Sequence, residues 1–439
     1  MASRSLSNLR GLVIVIVVAF HAFSAYLGSI SQTPSSFDVP PFLWQAFPIV
    51  DSRRWFGFDI FCAWQDVYLM SLMFFLSALF TWPSLNHKGA RRFLQDRFQR
   101  LGVPFLFGVF VVMPIAVYPA YRVRALDPGV GAYLHHYLAL PFWPNGPMWF
   151  LWQLLALTLL AAGLHRFAPH WIESLGRWSA TARSRPGRYF LALGSAAALG
   201  YVPLALIFTP WMWANHGPFG LQFSRPLLYA VLYVAGLGVG AHGFERGLLA
   251  PDGLLPSRWS RWLAVASVLF VLWMGLTALG MRQAGGGTIA LRALIAVSFA
   301  LACTSGCLAA LASCLWFGRS RSAVLETLSG NAFGIYILHY PFVVWLQYAL
   351  VGIALFAVLK AAIVLAAALL LASAASAGIA SIPFGSRVIG VERPRIGLPV
   401  SRSGTEGVGA DTPDGSRGIL RAASASEPRA DCAMEDAVR

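Results

Sequence analysis

Apolar stretches of about twenty residues recur along most of the chain, and nothing else in it restricts the fold as strongly. A run of that length can cross about 30 Å of hydrocarbon as a helix. Inside lipid such a helix satisfies all of its own backbone hydrogen bonds. Ten helices fit the pattern, near 9–30, 66–83, 102–121, 147–165, 189–209, 225–242, 262–281, 288–316, 331–350 and 353–376. The eighth exceeds what a crossing needs, so it is expected to tilt or to begin in the interface. Turn formers separate the runs: "QTPSSFDVPP", "FWPNGP", "NHGPFG" and "RQAGGG". Only 12% of the 439 residues are charged, against about 25% in soluble domains, and a large soluble core would lack its polar shell. The expected fold is an all-α polytopic membrane protein of about ten transmembrane helices.

The formal charge of +15 does not point to nucleic acid, because the cations sit in short segments between apolar runs. One set of loops holds Arg4 and Arg10, then Lys88, Arg91, Arg92, Arg97 and Arg100, and further arginines up to Arg321; the other holds Arg53, Arg54, Arg122, Arg124, Arg225, Arg282 and Arg292. The division is seventeen against seven. Lys and Arg collect on the cytoplasmic side, which predicts that both termini are cytoplasmic. Tryptophans at helix ends (Trp44, Trp55, Trp143, Trp211, Trp213) match an interfacial belt.

The N-terminus has the basic start and apolar run of a signal peptide, but the run continues past His21 and no A-x-A site follows, so it reads as a retained first helix. From about residue 384 the chain turns rich in Gly, Ser, Ala and Arg without apolar period. This gives two regions: a membrane domain over 1–383 and a disordered cytoplasmic tail over 384–439. Cys303, Cys307 and Cys314 share one helical face with no histidine beside them, so helix packing is expected rather than metal binding. The sequence implies no metal site. No internal repeat is visible, which weakens a transporter built of inverted halves.

The first run, "NLRGLVIVIVVAFHAF", carries an arginine and a histidine. Arg10 and His21 are eleven residues apart, three turns plus about 20°, so they share a helix face, with a rise of about 16 Å between them. Arg10 then lies at the headgroups and His21 near mid-membrane, where an ionisable residue must face protein or a water-filled cavity. Imidazole titrates near neutrality and can take and return a proton. A hydrogen-bonded core histidine remains the alternative.

Other segments extend this picture. "MFFLSALF" (Met73–Phe80), "RRFLQDRFQRLGVPFLFG" (Arg91–Gly108), "GPMWFLWQLL" (Gly146–Leu155) and "LSGNAFGIYILHYPFVVWLQ" (Leu328–Gln347) occur in this order. Together they resemble the integral-membrane acyltransferase family 3, which includes glycan O-acetylating enzymes and the protein that succinylates periplasmic glucans. The resemblance implies ten helices and transfer of an acyl group from cytoplasmic acyl-CoA to a glycan or lipid-linked acceptor outside. It also implies location in the inner membrane. The family's first-helix signature, a basic residue, ten others and a catalytic histidine, matches Arg10 and His21. Ser7 stands where an acidic residue is often found, and Ala78 where glycine is usual.

On this resemblance acyl-CoA, carrying acetyl or succinyl, is a cosubstrate and no resident cofactor is implied. Arg91, Arg92, Arg97 and Arg100 suit its phosphates, the alternative being a solvated basic loop. His21 would act as general base or as a transient acyl carrier. Asp66, expected at the outer end of helix 2, can orient His21 or bind a sugar hydroxyl. Trp149 and Trp143 can stack on a sugar ring or simply anchor the interface. Tyr336 and His339, three apart on helix 9, fall in the "IYILHYP"-like motif and fit an acceptor site. His135 and His136 are read as structural. Two rivals stand beside this reading: a proton-coupled secondary transporter using His21 and Asp66 as relay groups, and a membrane receptor without chemistry.

Overall fold

The computed structural model describes residues 2–30 and 36–390. Ten apolar helices build it: α1 Ala2–Phe23, α2 Phe56–Leu79, α3 Ala90–Arg122, α4 Trp149–Phe167, α5 Pro186–Phe208, α6 Pro226–His242, α7 Trp259–Met281, α8 Ile289–Phe317, α9 Ala323–Leu350 and α10 Ala357–Ser381. Among the described residues, nine of the apolar helical stretches are long enough to cross a membrane, and α6 is the shorter tenth. This is the all-helical polytopic architecture expected. The residues after 390, which carry most of the expected tail, lie outside the described residues. A short helix, Gly385–Val388, follows α10.

The connections gather at two ends, as alternating crossings require. At one end Asn8 donates to the carbonyls of Gly318 and Ser320 at 2.9 and 3.1 Å, His165 meets Asn86 at 2.9 Å, and Arg319 donates to the Pro251 carbonyl at 3.1 Å. At the other end Arg124 donates to the Pro48 carbonyl at 2.8 Å, and Asn215 to Gln45 at 3.1 Å. The first end carries the richer set of cations.

Small residues set the closest helix contacts, as expected where lipid supplies no hydrophobic drive for association. A Cβ at Gly236 would sit 2.4 Å from the Phe75 carbonyl oxygen, and one at Gly240 2.1 Å from that of Leu79. So α6 lies backbone to backbone on α2. Ala78 faces Gly236 within this contact, so the extra methyl at 78 is accommodated by a glycine opposite. The cysteines of α8 serve the same packing: Cys307 contacts the Tyr68 carbonyl at 3.6 Å and Cys314 that of Ser5 at 2.9 Å.

Four helices differ by seven residues or more from the expected boundaries; α9 begins at Ala323 rather than near 331, capped by the Ser322 side chain, which accepts from the Leu325 N–H at 3.4 Å. α1 stops at Phe23 instead of running to residue 30, because the next residues pair with a later loop. Asp51 N–H donates to the Ala25 carbonyl at 2.9 Å and Trp55 N–H to that of Tyr26 at 3.0 Å. Asp59 accepts from the N–H groups of Gly28 and Ser29 at 2.7 and 3.0 Å. Ser24 to Leu27 are buried, so this irregular backbone is covered by protein, the condition under which it is tolerated among membrane helices. α2 begins ten residues earlier than expected, which moves Asp66 from the helix end into its interior. α3 begins at Ala90 rather than near 102, so Arg91, Arg92, Arg97 and Arg100 are all helical. π-turns over Phe98–Gly102 and Gly108–Val112 widen α3 just before Pro104 and Pro114, whose missing N–H groups disrupt the regular ladder.

Three further elements occupy connections. Helices Val130–Ala139 and Pro169–Ala180 lie in loops, and "NHGPFG" forms the turn of a hairpin. Its strands, β1 Trp213–His216 and β2 Phe219–Gln222, pair antiparallel. Gly217, at φ +54°, takes the positive φ that a two-residue hairpin turn needs. The hairpin docks on α4, where Gly220 accepts from Trp152 Nε1 at 3.0 Å.

Candidate functional site

α1 and α9 run side by side, with Gly11 of α1 pressed against the Leu325 backbone. Further along, the His21 ring meets His339 at 5.3 Å and Tyr340 at 5.1 Å between centroids. The helix end at Phe23 matters here, because the last-turn carbonyls of a helix have no intrahelical partner. Gln347 of α9 supplies one, donating to the carbonyls of His21 and Ala22 at 2.8 and 3.2 Å. Ser24 Oγ adds a third contact, to the His21 carbonyl at 2.7 Å. The backbone that carries the His21 ring is therefore held from two sides, while the ring remains half-buried.

His339 is fully buried. Its Nδ1 lies 2.7 Å from the Tyr336 carbonyl and 3.2 Å from that of Ile335. A carbonyl only accepts, so Nδ1 carries the hydrogen and Nε2 keeps the lone pair of the neutral ring. Nε2 has no partner. A buried nitrogen left without a hydrogen bond is costly, and here it belongs to a ring beside the candidate catalytic histidine.

Arg10 lies on α1 toward the cation-rich end. Its guanidinium stacks over Phe80 at 4.8 Å, and Arg97 and Arg100 of α3 are near enough to repel it. Three of the arginines singled out in the sequence thus come together as one cationic cluster. Arg91 and Arg92 are exposed at the start of α3, and no contact joins them to that cluster.

Asp66 goes elsewhere. It forms a two-pronged pair with Arg225, Oδ2 to Nη2 at 2.5 Å and Oδ1 to Nη1 at 3.0 Å. Arg225 Nη1 also donates to the Asp66 carbonyl at 3.1 Å. This geometry satisfies the carboxylate and no contact between Asp66 and His21 is present, so the structure does not bring together the two relay groups of the transporter reading. Trp149 stacks on Tyr229 at 5.9 Å and meets Trp213 of the hairpin edge-on at 5.8 Å. The Tyr336 hydroxyl donates to the Pro147 carbonyl, tying α9 to the start of α4, so its oxygen is committed to the fold. Trp143 packs against Phe110 and Tyr137, and His136 pairs with Asp38 at 3.0 Å.

Reading the sequence missed Gln347, and it missed a buried pair between Lys360 Nζ and Asp51 Oδ2 at 2.6 Å. A signal existed for the second: Lys360 is a cation inside the apolar run of α10, and such residues nearly always have a partner. Gln347 gave none, since one glutamine at a helix end is unremarkable. Among the described residues no three His, Cys, Asp or Glu are grouped to hold a metal ion.

Comparison with known proteins supplies the family. The family model described as "Acyltransferase domain", of acyltransferase family 3, matches residues 3–377. No curated protein and no solved structure matches the chain significantly. The chain belongs to that family: it is an acyltransferase with multiple membrane-spanning helices.

Proposed function

We propose that this acyltransferase carries an acyl group from cytoplasmic acyl-CoA to a hydroxyl of an envelope glycan or another acceptor outside, with His21 at the reaction centre. Both termini then face the cytoplasm, and the Arg10 end of the bundle receives the donor. The observation that carries this reading is the pairing of half-buried His21 with a second imidazole, the buried His339, whose Nε2 has no partner among the described residues.

Two chemical routes fit. In the first, His21 removes the proton from the acceptor hydroxyl as its oxygen attacks the thioester carbonyl. The carbon–sulfur bond breaks, and the departing thiolate takes the proton from His21. In the second, a His21 ring nitrogen attacks the thioester carbonyl, the carbon–sulfur bond breaks and CoA leaves as the thiolate. The acceptor hydroxyl then attacks the acyl carbon, the carbon–nitrogen bond breaks to return neutral His21, and the hydroxyl proton passes to the thiolate. His339 serves both routes: its free nitrogen lone pair, held in one tautomer by the Tyr336 carbonyl, can steady an N–H of His21. Arg10, Arg97 and Arg100 suit the phosphates of CoA, and the pantetheine arm spans the rise of about 16 Å along α1 from Arg10 to His21. Trp149 fits the acceptor side, as a stacking surface for a sugar.

The test uses purified full-length protein in lipid with labelled acetyl-CoA and succinyl-CoA, quenched within one turnover. Label on a His21 peptide identifies the carrier route, and label on acceptor alone identifies the base route. Absence of CoA release with either donor, in protein that is monodisperse and given extracts of envelope glycan, would remove the proposal. Mass spectrometry of envelope glycans with and without the protein names the acceptor.

A further inference from the structure

A groove of about 470 Å³ opens at the cation-rich end, between the beginnings of α5 and α7. It is lined by Arg185 and Arg188 from the start of α5, and by Arg258, Arg261, Trp262 and Val265 from the start of α7. The two helices present the same pattern there, R-x-x-R, which puts both arginines of each pair on one side of the first turn. None of the four guanidinium groups has a hydrogen bond or ion pair among the described residues. The adjoining Arg183 is different, because it pairs with Asp252. Four unpaired cations around one concavity repel one another, and an anion seated between them relieves that repulsion.

One wall of the groove indicates which anion. α7 is peripheral and exposes apolar residues along its length, among them Val268, Val271 and Leu272. Val265, at the rim of the groove, is exposed and begins this surface, while Trp262 beneath it packs edge-on against Phe190. A ligand with a phosphate at one end and hydrocarbon at the other fits this continuity, and a wholly water-soluble phosphate leaves the apolar wall unused. α5 and α7 pack chiefly on α8, whereas the Arg10 cluster lies on α1 and α3.

We propose that the groove is a binding site for the phosphate of an anionic phospholipid, whose acyl chains lie along α7. The site is separate from the acyl-transfer centre and does not depend on that reading. Basic pockets between helices on the cytoplasmic side suit such headgroups, each cation contributing about 1 kcal/mol, or about five-fold in affinity.

The experiment is native mass spectrometry of the full-length protein with phosphatidylglycerol or phosphatidylcholine, with and without free CoA. Retention of phosphatidylglycerol well above phosphatidylcholine is expected. The paired variants R185Q/R188Q and R258Q/R261Q should each lower it about twenty-five-fold and leave phosphatidylcholine unchanged. Retention equal to wild type in both variants overturns the site, and displacement of the lipid by CoA assigns the groove to a soluble phosphate instead. A second measurement needs no variant: phosphatidylglycerol with a photoreactive acyl chain should label the wild-type peptide around residues 262–272. Labelling spread evenly over the other exposed helices overturns the proposal independently of how the variants fold.

Discussion

Two groups of polar residues lie inside the apolar bundle, and they are finished to different degrees. The Asp51–Lys360 pair is closed: Nζ meets Oδ2 at 2.6 Å, Oδ1 accepts from the Arg53 N–H at 2.7 Å, and both side chains are almost wholly buried. The His21–His339 pair is open. One ring is half-buried and the other has a nitrogen without a partner. A closed pair holds the loop that carries Asp51 against α10 and gives each buried charge its counter-charge. An open pair keeps a lone pair available to a third molecule, which is what a reaction centre needs. Burial alone would rank the Lys360 pair as the stronger functional candidate. Hydrogen-bond completeness reverses that order.

The sharpest way to break this contrast is His21→Ala. Turnover should fall by about 10²–10⁴ while acyl-CoA still binds and the protein remains monodisperse in lipid. Transfer at the wild-type rate would reduce the open pair to packing. Lys360→Met tests the opposite side. Removing one partner of a buried ion pair costs about 3–5 kcal/mol, so unfolding by denaturant in detergent should shift by that amount. The double variant Asp51→Leu/Lys360→Met should regain most of it. Unchanged stability of Lys360→Met with slowed transfer would show that the closed pair also takes part in chemistry.

Smaller effects sharpen the roles along α1 and α9. Arg10→Ala removes a charge-assisted contact of about 1.5–3 kcal/mol, so donor Kd should rise about ten- to a hundred-fold with the single-turnover rate of bound donor little changed. Arg10→Lys should recover part of the loss, keeping the charge without the guanidinium fork. A normal donor Kd in Arg10→Ala would place the phosphates elsewhere. Least in size, His339→Gln should slow turnover about ten-fold and leave donor Kd alone. A raised Kd with unchanged turnover would move His339 from the reacting groups to the binding surface.

Much of the fold could be read from the chain. Hydropathy located all ten helices, because a bilayer demands length and apolarity from each segment separately. Errors appeared where a boundary depends on a distant partner. The apolar run places the end of α1 seven residues too late, because no charged residue interrupts Ser24 to Ile30 and only their pairing with residues 51–59 ends the helix. Hydropathy makes α3 too short because its first arginines look like a loop, yet they continue the helix. The site was legible in part. The Arg10–His21 spacing and the motif around His339 were visible, since each lies within one helix. That His21 and His339 touch, that Asp66 is taken by Arg225 and that Gln347 holds the end of α1 involve residues 159 to 326 positions apart.

By itself the sequence determined the helical bilayer architecture, the unequal distribution of cations between its two ends and the shared face of Arg10 and His21. Those properties are set by periodicity and composition over about twenty residues, and a single helix expresses them in full. The tertiary structure decided which polar groups are spent and which are left over. Hydrogen-bond capacity is consumed pairwise between helices, so whether His339 Nε2 keeps a free lone pair depends on how α1, α4 and α9 pack, and no single segment encodes that.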